Sequence, residues 1–252
     1  MSDSVSTPTA DVDNGATDRT GTVRTATVLA GIIVAALVAT VAATLATAVI
    51  GSRLGETATF VVGIVGIELS FIVVGITYLR FRSSFRLPVR PPTRQELPYL
   101  IGGLLASLVT AFLSLAITDA IIPAFELSPG YTEYSRLGDL TGIGFAFGAI
   151  LSFTLIGPTE EFFFRGVMQG RLREAFSPVS AVGIAGAAFA LFHVYPVLLL
   201  SPPPATIAHM AAYYTLMGMI FGWVYYRTDN LVVPALVHGI FNAVLFTSAL
   251  WI

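Results

Sequence analysis

Seven polar or ionisable side chains stand inside long apolar runs of this 252-residue chain: Glu68, Glu160, Glu161, Arg165, His193, His238 and Asn242. Asp119 and His209 lie nearer the ends of such runs. A charged group costs about 2.5–3.5 kcal/mol at the centre of a membrane helix on insertion scales, so such groups usually face a polar cavity and act there. Three short strings carry most of them. In Glu160-Glu161-Phe162-Phe163-Phe164-Arg165, helical spacing puts Glu161 and Arg165 on one face as an ion pair and turns Glu160 away by about 100°. Phe189 and His193 share a second stripe, and His238 and Asn242 a third. Carboxylates and imidazoles transfer protons, and imidazole and carboxamide N–H groups donate to developing negative charge. Three helices thus offer polar faces to one cavity.

The elements that must position these groups are membrane helices. The chain is 55% hydrophobic and 11% charged, against about a quarter charged in ordinary soluble domains. Apolar stretches at 26–50, 57–79, 97–122, 141–164, 178–200, 205–226 and 231–251 approach or exceed the ~20 residues that cross a bilayer core. We therefore expect an all-α polytopic bundle of about seven spans. Pro158 is placed to kink the fourth, and Pro202, Pro203 and Pro204 end the fifth. Residues 1–24 are small, polar and aperiodic, which predicts a disordered tail before a membrane domain at 25–252.

All thirteen basic residues are Arg. With the N-terminus inside, eleven fall on the inner side (19, 24, 80, 82, 86, 90, 94, 165, 171, 173 and 227) and only Arg53 and Arg136 outside. Basic loops are retained on the cytoplasmic side, so the expected topology is N-in and C-out in a plasma membrane, with the site opening toward the cytoplasm. Net charge −2 and the absence of a basic face give no footprint for nucleic acid. The absence of cysteine excludes disulfides, thiolate metal sites and a thiol nucleophile. The expected partners are the lipid bilayer and a membrane-associated peptide.

EExxxR, FxxxH and HxxxN, in this order on successive apolar segments, resemble the signature of the CAAX prenyl protease and bacteriocin-processing (Abi, CPBP) intramembrane endopeptidases. The resemblance covers about residues 141–246. It implies Glu160 as general base for a water, aided by His193, with His238 and Asn242 stabilising the oxyanion. Glu161, Arg165 and Phe189 become supporting motif residues. Eukaryotic members trim residues after a prenylated cysteine, whereas prokaryotic ones are linked to bacteriocin maturation or self-immunity. The resemblance thus implies proteolysis of a membrane-associated peptide without requiring a CAAX box.

Zinc is the alternative to glutamate-activated water: Glu160, His193 and His238 form a three-ligand set of the catalytic kind. The chain has no HExxH, and the same residues suit metal-free chemistry, which is the preferred reading and requires no cofactor. Two other classes compete with an enzyme. A non-enzymatic immunity or scaffold protein would tolerate loss of Glu160 or a motif His, yet all are present. A proton-coupled carrier would use Glu68, Glu160 and the histidines as a relay, but no inverted repeat accompanies them. The remaining polar and small residues read as structure. Glu68 is expected to hydrogen-bond a neighbouring helix, and His209 to lie at the outer interface. Phe162, Phe163 and Phe164 are expected against lipid, in packing, or walling the site. Gly183, Gly186, Ala187, Gly218 and Gly222 should mark close helix contacts.

Overall fold

The computed structural model describes residues 14–82, 87–125, 142–198 and 203–248. They form seven helices and no strand among the described residues: α1 (Asn14–Gly51), α2 (Glu56–Arg80), α3 (Leu97–Phe125), α4 (Gly142–Leu172), α5 (Pro178–Leu198), α6 (Pro204–Thr228) and α7 (Val232–Ser248). The first six are long and apolar enough to cross a membrane, and α7 is a shorter apolar helix. The protein is a multi-pass membrane protein. Side chains such as Val38, Leu105 and Phe112 are more than half exposed, a surface that suits lipid and not water.

α1 begins at Asn14, inside the stretch read from composition as a disordered tail. Helix propagation adds one hydrogen bond per residue fixed, so a long span extends through polar residues that would not nucleate a helix. Thr25, Leu29, Ile32, Ala36 and Thr40 form its buried stripe, and Tyr195 of α5 donates to Thr40 Oγ1 at 2.9 Å. Residues 1–13, Arg86, Arg136, the Asp119 side chain and residues 249–252 lie outside the described part of the chain.

α4 is the central element, in contact with α2, α5, α6 and α7. It is not a uniform α-helix. Two stretches of wider π-helical winding, Ser152–Ile156 and Phe162–Gln169, flank one α-helical turn, Gly157–Glu161. Pro158 sits in that turn; it has no N–H to donate, and the wider winding precedes it. The second π stretch is buried on nearly every side, with Phe163, Phe164 and Arg165 fully enclosed. Phe163 and Phe164 therefore do not face lipid. They pack in an aromatic cluster with Phe71 of α2 and Phe189 and Phe192 of α5, with ring centres 4.8–6.1 Å apart. Each such pair adds about 0.5–1.5 kcal/mol beyond its buried area.

Two glycine contacts set the helix spacing around α4. At the α5–α6 crossing, a Cβ on Gly218 would lie 2.8 Å from Gly186 Cα. At the α4–α7 crossing, a Cβ on Gly239 would lie 2.9 Å from both Phe153 Cα and the Ser152 carbonyl oxygen. Gly183, expected to be a contact, instead faces open space. Gly239→Ala should therefore destabilise the protein by about 1–3 kcal/mol, because backbone cannot yield as a side chain does. Gly183→Ala should stay within about 0.5 kcal/mol of wild type. Thermal unfolding in detergent reads both, and equal melting of the two variants would refute the close crossing.

At one end of the bundle, charged side chains tie the connections together. Arg90 forms a two-point ion pair with Glu96, both contacts at 2.8 Å, and Arg90 Nη2 donates to the Thr228 carbonyl at 3.2 Å. Leu231 N–H donates to the Pro88 carbonyl at 2.8 Å. Arg82 and Arg171 both pair with Glu174, and Arg173 pairs with Asp229.

Candidate active site

Glu160 and Glu161 occupy the α-helical turn between the two π stretches, and successive positions there aim them at different partners. Glu161 is fully buried. Its Oε2 lies 3.0 Å from Arg165 Nε, as the i, i+4 spacing requires. Its Oε1 accepts from His238 Nδ1 at 3.0 Å, across from α7. Glu161 thus does more than neutralise Arg165: it bridges that guanidinium and a motif histidine. A carboxylate can only accept, so Nδ1 of His238 carries the proton and Nε2 points elsewhere.

Arg165 is held just as tightly. Its guanidinium lies over the rings of Phe164, Phe189 and Phe221 at 5.8, 5.0 and 5.6 Å. Its Nη2 donates to the Gly218 carbonyl at 3.2 Å. One turn further, Gln169 Nε2 donates to the Gly222 carbonyl at 2.9 Å. The bare glycine backbone of α6 thereby receives the Arg165 and Gln169 side chains of α4.

His193 is fixed by its own helix. Its Nδ1 lies 2.8 Å from the Phe189 carbonyl oxygen, which can only accept, so the proton is on Nδ1 and Nε2 presents a lone pair in the neutral ring. The ring is sandwiched between Phe189 at 4.2 Å and Tyr214 of α6 at 4.4 Å. His193 Nε2 faces Glu160 Oε2 across 3.9 Å, and that oxygen is buried without a hydrogen-bond partner among the described residues. A gap of this size between two acceptors can be bridged by one water that donates a hydrogen to each. Such a water keeps its lone pairs for attack.

Asn242 follows His238 by one turn of α7 and is half-buried. The structure thus gathers Glu160, Glu161, Arg165, Phe189, His193 and His238 around α4, with Asn242 on the same stripe as His238. His209 lies apart, its Nε2 2.9 Å from Ser114 Oγ on α3. Two residues absent from the sequence reading complete the arrangement. Tyr214 stacks on His193, and Phe221 stacks on His238 at 4.5 Å and 16°. Their separation by seven residues, with Gly218 between them, marks one stripe of α6 and was the available signal.

A catalytic zinc needs three ligands about 2.0–2.2 Å from one metal; with His238 Nδ1 engaged by Glu161 and His193 Nδ1 by a carbonyl, Nε2 is the nitrogen each ring would have to offer. Among the described residues, no three His, Asp or Glu side chains form a group that could hold a metal.

Fold and site together define a helical membrane protein with an enclosed carboxylate–imidazole centre. Residues 142–244, from the start of α4 into α7, match the family model of the type II CAAX prenyl endopeptidases, Rce1-like. That family is one of intramembrane peptidases. The chain matches no curated protein and no solved structure.

Proposed function

We propose that this protein is an intramembrane endopeptidase that hydrolyses a peptide bond of a membrane-associated substrate with a glutamate-activated water. The observation that carries the reading is the pair of converging acceptors, Glu160 Oε2 and His193 Nε2, at 3.9 Å. Glu160 takes a proton from the water as its oxygen bonds to the scissile carbonyl carbon, and His193 keeps the water oriented. The oxyanion receives hydrogen bonds from the Asn242 carboxamide and from Nε2–H of the His238 ring in its doubly protonated form, whose Nδ1–H stays on Glu161. Glu161 orients His238, and Arg165 pairs with Glu161. As the carbon–nitrogen bond breaks, the proton held by Glu160 passes to the leaving amine. The chain lies N-in in the plasma membrane, with the site reached from the cytoplasmic half, because most of its Arg residues fall on that side.

The decisive experiment compares the protein N-termini of cells expressing wild type or Glu160→Gln at matched levels. New termini in membrane proteins that require Glu160 support the enzyme. Identical terminal profiles favour the scaffold reading, in which the same fold captures a partner without cutting it. The metal-free mechanism has its own check. Treating purified protein with 1,10-phenanthroline should leave cleavage within about twofold, since no metal-bound water takes part. Loss of cleavage that added Zn²⁺ restores would overturn it.

A further inference from the structure

Glu68 stands at mid-length in α2, 3% exposed, and its Oε2 has no hydrogen-bond partner among the described residues. The neighbouring-helix hydrogen bond expected from sequence is therefore not made at this atom. Phe71, three residues on and on the same helix face, packs against Phe163 at 4.8 Å and Phe164 at 5.5 Å. A Cβ on Gly75, one further turn along, would touch the Phe162 ring at 2.5 Å. This stripe of α2 thus runs along α4 beside the Glu160-Glu161 turn, which α2 also contacts. The Glu68 and Glu160 carboxyl groups lie within electrostatic range of each other. Each presents a buried Oε2 without a hydrogen-bond partner. Buried polar oxygens are rarely left so, and two on facing helices can satisfy each other through a shared hydrogen or one water.

We propose that Glu68 is a positioning residue of the active site, holding the Glu160 carboxylate by a hydrogen bond given directly or through one water. This role rests on the hydrolytic reading above. Glu160 is otherwise held loosely: its nearest charged or polar neighbour on α5, His193 Nε2, is 3.9 Å away. A general base needs its oxygen aimed at the water within hydrogen-bond reach, so a group that fixes the carboxylate acts on the chemical step more than on binding.

The test uses the full-length protein and four forms of it: wild type, Glu160→Gln, Glu68→Gln and Glu68→Leu. Each is followed for the rate at which Glu160-dependent N-termini appear after induction, normalised to folded protein, with thermal unfolding measured in detergent. Glu68→Gln keeps a donor of the same shape and should cleave within about threefold of wild type, whereas Glu68→Leu should be slower by about tenfold or more while melting no lower. Rescue by Gln but not by Leu is an outcome that a packing role does not produce. Wild-type rates in both variants, or equal loss in both, would overturn the proposal while leaving Glu160 as the base. If wild type and Glu160→Gln give the same termini, the hydrolytic reading falls, and the role of Glu68 falls with it.

Discussion

Glu160→Gln is expected to lower the cleavage rate by about 10²–10⁴-fold, the usual worth of a positioned general base, without loss of fold. The carboxamide has the same shape but is a far weaker base, so the water bridging to His193 Nε2 would keep its proton. Stability should be spared because Glu160, unlike Glu161, holds no close Arg ion pair among the described residues: His193 Nε2 stands 3.9 Å away. Its Oε2 accepts no hydrogen bond within the described protein, so the carboxamide breaks none at that atom. Single-turnover cleavage of a peptide spanning the bond found by terminal profiling, in proteoliposomes, measures the rate. Thermal unfolding in the same lipid checks the fold. A variant that melts as wild type and still cleaves at the wild-type rate would remove Glu160 from the mechanism.

The contrast between adjacent carboxylates shows what the sequence could and could not disclose. Glu161 with Arg165, and Phe189 with His193, were legible because helix geometry alone brings residues four apart together. Both contacts are present, the second as a carbonyl hydrogen bond and a ring stack. The Glu161–His238 contact spans 77 residues and depends on how α7 crosses α4 at Gly157 and Gly239. No periodicity within one helix encodes that crossing. The π winding of α4 was hidden for a related reason: the 3.6-residue pattern assumes uniform turns, and the winding changes which side chains point inward. This is why Phe163 and Phe164, ambiguous between lipid and core in sequence, are both enclosed. The surroundings of Glu68 were hidden in the same way, because α2 meets the Glu160-Glu161 turn across a helix contact and composition gives only its isolation.

Removing Arg165 is expected to produce the largest loss of stability of any substitution considered. Arg165→Leu leaves the Glu161 carboxylate buried with His238 as its remaining close polar partner, and stranding one member of a buried pair costs about 3–5 kcal/mol. The leucine also gives up the guanidinium contacts with three aromatic rings and the hydrogen bond to the Gly218 carbonyl. The double variant Glu161→Leu with Arg165→Met separates folding from chemistry. Replacing both charges by apolar groups of similar size is often neutral or stabilising, by about 1–4 kcal/mol, so the double variant should unfold later than Arg165→Leu. It should still cleave slowly, by about 10²–10³-fold, because His238 then lacks the acceptor that holds its Nδ1 proton and aims its ring as an oxyanion donor. Unfolding in detergent and single-turnover cleavage together decide the matter. If Arg165→Leu unfolds with wild type, the buried pair is not holding α4. If the double variant regains full activity, Glu161 serves the fold alone, and the orientation of His238 must come from its stack on Phe221.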